Sequence, residues 1–204
     1  SYAQQNSNEQ QEQYLKVITE RSAKIVNTLS ITDSVKYKKV LSDLVNQYTQ
    51  LSKIHEQSKA VTAEIKKQTL TPEESAVQLK KEEEKKSSQL LQLHSSFIAH
   101  IRENLSEEQI ELVKDGMTYR IFPITYTAYQ EMILTLTAEQ KNKIYEWLKE
   151  ARELAMDEGS SDQKHAVFGK YKGRINNYLS AAGYNMKKEG EEWQKRINEK
   201  KQNS

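Results

Sequence analysis

Cysteine is absent from the 204-residue sequence, which excludes disulfides, thiol chemistry and any cysteine-based zinc site. Two prolines and six glycines are far below average usage, so few residues interrupt regular structure. Long apolar runs are also missing: nothing approaches the roughly 20 residues a membrane-spanning helix needs. Charge of one sign is lacking too. The formal net charge is +2, which argues against a nucleic-acid partner. The stretch from Ser160 onward, with ten Lys/Arg against five Asp/Glu, is a modest basic patch, too weak for a polyanion site.

What is present favours helix. Lys, Glu, Gln, Leu and Ala abound, and 36% hydrophobic against 29% charged residues suits long, slender helices. From Val35 to Lys67 the positions Leu41, Leu44, Tyr48, Leu51, His55 and Ser58 recur every three or four residues, a heptad seam. "QTLTP" interrupts it, and a second long helix is expected from Pro72 to Asn104 through Leu79, Leu90, Leu93, Phe97 and Ile101. The short break predicts an antiparallel hairpin of helices about 45 Å long.

Three stretches, "LTPEE", "LSEEQ" and "LTAEQ", each put Ser or Thr three residues before Glu or Gln. They predict capping boxes at Thr71/Glu74, Ser106/Gln109 and Thr137/Gln140. Thr32 or Asp33, and Ser160 or Ser161, are further N-cap candidates, and Gly183 suits a left-handed helix end. Residues 117–130, "MTYRIFPITYTAYQ", mix β-branched and aromatic residues around Pro123 and read as a short irregular segment, with a short helix to follow near Ala128–Leu134.

The expected architecture is all-α: a long antiparallel helical hairpin plus a C-terminal helical bundle with one short irregular aromatic segment. Residues 1–8 read as a disordered tail, 9–104 as the N-terminal helix and hairpin, and 105–204 as the bundle. Ser1-Tyr2-Ala3, followed by a Gln/Asn-rich stretch, resembles the edge of a removed signal peptide.

Catalytic chemistry has no visible carrier. The histidines His55, His94, His100 and His165 form no metal-binding pair, and no nucleophile or phosphate-loop pattern occurs. Glu146, Glu150, Glu153 and Asp157 share one helical flank, read as ion-pair partners for the basic helix that follows. The reading inclines away from an enzyme and implies no metal and no cofactor.

One helix carries an unusual constellation, "FGKYKGRINNYL". Val167, Tyr171, Ile175, Tyr178 and Ala182 are expected to form its buried stripe, and the packing stripe before it is expected at Ile144, Trp147, Leu148, Ala151, Leu154 and Ala155. Gly169 and Gly173 each cost a helix about 1 kcal/mol relative to alanine. Two accounts are open: close approach of another helix, or a groove lined by Lys170, Lys172, Arg174, Asn176 and Asn177. Tyr119, Phe122, Tyr126 and Tyr129 lie close together in sequence. Tyrosines beside Asn, Arg and Lys can stack on sugar C–H faces and bind hydroxyls.

"LVKDGMTY", "ITYTAYQEMI", "LTAEQKNKIYEWLKEARELAMDEGSSDQKHAVFGKYKGRINNYLSAAGYN" and the trailing "EEW" together resemble a family of exported Gram-negative bacterial proteins of unknown function, described as candidate sugar binders in a polysaccharide-utilisation setting. The resemblance is close over residues 105–193 and loose over the hairpin. It implies a non-catalytic periplasmic or secreted carbohydrate-binding protein, with an oligosaccharide or polysaccharide fragment as partner. The ligand-binding candidates are then Tyr119, Tyr126, Tyr129, His165, Lys170, Lys172, Arg174, Asn176 and Asn177. A helical periplasmic chaperone or scaffold, and a polysaccharide-active enzyme, are the alternatives; the oligomeric state stays open.

Overall fold

In the computed structural model, which describes all 204 residues, the chain is wholly helical with no strand. The order is α1 (Tyr2–Val26), a 3-10 turn (Asn27–Leu29), α2 (Ser34–Lys67), α3 (Pro72–Arg102), α4 (Glu107–Met117), α5 (Ile121–Met132), α6 (Ala138–Ala155), α7 (Ser161–Ala181) and α8 (Met186–Gln202). Two compact units divide it, Ser1–Val113 and Lys114–Ser204. The division falls inside α4, nine residues beyond the break expected at 104/105.

Every helix start except that of α5 carries a side-chain cap. All three capping boxes form. Thr71 Oγ1 accepts from the Glu74 N–H at 3.2 Å and the Thr71 N–H donates to Glu74 Oε2 at 3.1 Å. The Ser106/Gln109 and Thr137/Gln140 pairs do the same. These reciprocal bonds satisfy donors that a helix leaves without intrahelical acceptors. Asp33 caps α2 by accepting from the N–H groups of Val35 and Lys36, donors that hold its carboxyl below the usual range. Ser160 caps α7. Ala182 ends α7, and Gly183 follows at φ +102°. Its N–H donates to the Ser180 carbonyl while that of Tyr184 donates to the Leu179 carbonyl, a left-handed closure that glycine adopts most easily.

In the N-terminal unit α2 packs on both α1 and α3. Val40, Leu44, Tyr48 and Leu51 of α2 are buried, as are Ile18, Ile25 and Val26 of α1 and Phe97, Ile98 and Ile101 of α3. The hydrophobic staple of Leu105 with Ile110 is buried as well. Gln109 serves twice: besides its capping bond, its Nε2 donates to the Leu29 carbonyl at 2.9 Å. The seam differs from the expected one at four positions: Val40 and Gln47 are buried, and Leu41 and His55 are only half-buried. Toward the α2–α3 turn only Ser58 and Ile65 remain buried on α2, while Leu79, Leu90 and Leu93 of α3 are half-buried. Residues 1–8 are not an irregular tail. Ser1 caps the helix by accepting from the Gln4 N–H, and Ala, Gln and Glu, good helix formers, carry it onward.

In the C-terminal unit α6 and α7 pack along their length, α5 lies on α6, and α8 lies on α5 with a smaller contact to α7. The core joins Phe122, Tyr129 and Ile133 to Ile144, Leu148, Ala151 and Ala155, and to Phe168, Tyr171, Ile175 and Leu179. Three expectations are corrected here. The aromatic segment is helical from Ile121, and the following helix expected at Ala128–Leu134 is its continuation. Pro123 sits in its first turn, where a missing N–H costs nothing. The α7 stripe is Lys164, Phe168, Tyr171, Ile175 and Leu179, rotated from the expected one by the burial of a lysine. On α6, Leu154 is 52% exposed while Arg152 is buried at 1%.

The capping geometry has a measurable consequence. Thr137→Ala should lower stability by about 1 kcal/mol, read as a lower urea midpoint with unchanged slope, and Thr137→Ser should restore most of it. An alanine variant as stable as the parent would show that the box contributes nothing.

Candidate functional site

The turn joining α4 to α5 is the most unusual backbone in the chain. Tyr119 and Arg120 both have positive φ, 58° and 56°. Left-handed geometry costs an L residue roughly 1–2 kcal/mol, and glycine is the usual occupant of the first such position. The Arg120 N–H donates to the Asp115 carbonyl at 2.9 Å, and the Thr118 hydroxyl donates to the Lys114 carbonyl at 2.7 Å.

Buried cations hold this turn. Lys164, 5% exposed, reaches across from α7 and donates from Nζ to the Met117 carbonyl at 2.9 Å, a cation against the negative end of a helix. Arg152 of α6 donates from Nη1 to Asp115 Oδ1 at 2.7 Å, with its guanidinium 4.9 Å from the Phe122 ring centre. Lys114 pairs with Glu153 at 2.9 Å. Glu153 thus pairs with α4, a partner the sequence did not suggest. Each pairing offsets the cost of bringing a charge out of water. None of Asp115, Arg152 and Lys164 was among the sequence candidates. The signal was there: Arg152 and Lys164 each fall on an apolar stripe at helical spacing.

The held turn presents Tyr119, 47% exposed, against His165, ring centres 5.2 Å apart. His165 Nδ1 lies 2.8 Å from the Ser161 carbonyl. A carbonyl only accepts, so this nitrogen carries the hydrogen. Farther along α7, Tyr129 of α5 donates its hydroxyl to Asn176 Oδ1 at 2.8 Å. His165, Gly169, Lys172 and Asn176 follow the i, i+4, i+7, i+11 rule and so share the α7 flank facing α5. Midway along it is Gly169, where an added Cβ would meet nothing within 4 Å.

The remaining candidates separate. Arg174 lies on the opposite flank, toward α6, with its guanidinium 4.5 Å from the Tyr171 ring centre and 6.0 Å from that of Trp147. Lys143 covers Trp147 at 4.7 Å. Tyr126 turns toward α6, packing edge-on to Tyr145 and Phe122. Lys170 and Asn177 are exposed on the outer side. The polar surface of α7 is thus two flanks with different neighbours. Gly173, like Gly169, has open space where a Cβ would stand, so neither glycine permits a close helix approach within this chain. No group of three or more His, Cys, Asp or Glu side chains gathers to hold a metal ion, and no helix is long and apolar enough to cross a membrane.

A strand-free fold whose C-terminal unit exposes rings and amide groups between two helices defines an all-α helical protein. The chain belongs to the family described as "Protein of unknown function (DUF3826)", whose profile matches residues 15–199. No curated protein matches it.

Two measurements check this geometry. Gly169→Ala should raise stability by about 0.5–1 kcal/mol, because the helix gains propensity and the methyl meets nothing; a loss would reveal a close contact at that position. Burial pushes the Tyr129 phenol up from 10.0 to about 12. The unfolded chain then ionises first on alkalinisation. The stability linked to this proton is complete below pH 10 and is lost between pH 10 and about 12, on the order of 2 kcal/mol. Tyr129→Phe should make this alkaline limb shallower; an unchanged limb would assign it to other groups, such as Tyr171, whose phenol burial also raises.

Proposed function

We propose that this is a non-catalytic carbohydrate-binding protein that takes an oligosaccharide or polysaccharide fragment on the α7 flank facing α5. The observation that carries the reading is the pairing of Tyr119 with His165 and of Tyr129 with Asn176 on one flank, with the unfilled position at Gly169 between them. The exposed rings of Tyr119 and His165 can meet the C–H face of a sugar, while Tyr129, buried in the core, holds Asn176. His165 Nε2 faces a sugar hydroxyl, and Lys172 and the Asn176 amide group donate to hydroxyls that arrive with both capacities. The family resemblance in "KDGMTY" and "FGKYKGRINNYLS" supports the same place, and with it an exported, periplasmic or secreted setting. Arg174, Lys170, Asn177 and Tyr126 fall outside this proposed contact.

A second reading, a helical scaffold or chaperone, has one observation in its favour. Val61, Val77 and Leu91 are exposed on the helical hairpin, at 39%, 54% and 69%.

Thermal-shift screening against plant and host oligosaccharides tests the first reading. A bound sugar at 100 times its dissociation constant should stabilise the protein by about 2.7 kcal/mol. Gly169→Leu, which fills the gap, and His165→Ala should each remove that gain while leaving the unliganded protein folded. A gain that survives both changes places binding elsewhere. No stabilisation by any sugar, together with suppressed aggregation of an unfolded client, would favour the second reading.

A further inference from the structure

The α7 flank facing α5 has a charge bias of its own. Between Asp162 and Glu189 the chain has no Asp or Glu, yet the α7 part of this stretch holds Lys164, Lys170, Lys172 and Arg174. Asp162 stands in the first turn of α7, ten residues and about 15 Å from Lys172. α5 matches it: Glu131 is its sole acid, and that residue lines an outer groove with Trp193. The two helices that border the flank thus place Lys172 on it and no carboxylate.

Hydrogen-bond direction sharpens this bias. The Tyr129 hydroxyl donates to Asn176 Oδ1 at 2.8 Å, which engages the amide's only acceptor atom and leaves its NH2 group, two donors, at an exposed position. Lys172, one helical turn earlier on the same flank, is exposed and makes no ion pair. Gly169 and Gly173 stand beside them with open space where a Cβ would be, so no side chain of their own crowds the pair. Two groups that only donate, one of them charged, are matched by a group that only accepts and carries the opposite charge. A hydroxyl, which also brings a hydrogen, uses half its capacity there. We infer that the ligand is an acidic sugar whose anionic substituent, a carboxylate or a sulfate ester, sits between Lys172 and Asn176. The inference rests on the carbohydrate reading of this flank and narrows it. It needs one anionic group at one lysine, not the long polyanion for which the basic patch is too weak.

The test measures, by calorimetry on the full chain, the binding of tetramers of galacturonate, mannuronate and guluronate, each beside its carboxyl-reduced neutral counterpart. A sulfated galactan tetramer is compared with its desulfated form. At least one acidic tetramer should bind about tenfold more tightly than its neutral counterpart, the scale of one charge-assisted hydrogen bond. Raising NaCl from about 20 mM to about 500 mM should erode that advantage, because salt screens exposed charges. Lys172→Met, which keeps the apolar stem and removes the charge, should erase the preference. Asn176→Asp keeps an oxygen for Tyr129 and replaces the donors with a negative charge, so it should turn the preference toward the neutral sugar. Both positions are exposed, and an unchanged melting temperature checks that each variant is folded. A preference among the uronates assigns a carboxylate, and one for the sulfated tetramer assigns a sulfate ester. Neutral counterparts that bind as tightly as every acid would overturn the inference and leave the carbohydrate reading standing. A preference that survives both substitutions would put the anion elsewhere and overturn it too. Binding of no sugar, acidic or neutral, would remove the carbohydrate reading itself and the inference with it.

Discussion

The C-terminal unit depends on how two buried cations are paired. Arg152 and Lys164 enter the core from different helices and meet the same short segment, one through the Asp115 carboxylate and one through the Met117 carbonyl. A buried charge without such partners would cost several kcal/mol. The arrangement therefore requires the end of α4 to lie where both can reach it. That requirement offsets two consecutive left-handed residues, Tyr119 and Arg120, in a turn that glycine would make without strain. The strained turn then displays Tyr119 toward α7 and starts α5 at Ile121. Strain of this kind persists where surrounding structure over-determines it.

With α5 so placed, the polar surface of α7 divides. The flank of His165, Gly169, Lys172 and Asn176 meets Tyr119 of the α4–α5 turn and Tyr129 of α5, while Arg174 stacks with Tyr171 and Trp147 beside α6. A guanidinium over ring faces makes contacts worth about 0.5–1 kcal/mol at an exposed site, which draw Arg174 toward α6. The same helix is thus fixed on one side and left open on the other. Its two glycines, which the sequence leaves ambiguous between packing and a ligand groove, stand in open space.

Much of the fold was legible because it rests on interactions within four residues. The boxes at Thr71, Ser106 and Thr137, the caps at Asp33 and Ser160, and the glycine after α7 all satisfy backbone groups with near neighbours. The heptad seam of α2 was legible for a related reason, since burial on a long helix repeats with the helix itself. The aromatic segment misled because alternating β-branched and aromatic residues suit an extended chain as well as a helix. Its helical state follows from the turn that precedes it and from a proline placed in the first turn.

The sequence by itself determined the all-α class, where the capped helices begin, and that α7 carries a polar surface with two unexplained glycines. Only tertiary structure decided which way α7 faces. Val167 with Tyr178, and Phe168 with Leu179, offered two stripes a single residue apart, and the observed one required burying Lys164. Hydrophobic pattern disfavours that choice. It is realised because the Met117 carbonyl, 47 residues away in sequence, supplies an acceptor, and no local pattern records a partner brought together by folding.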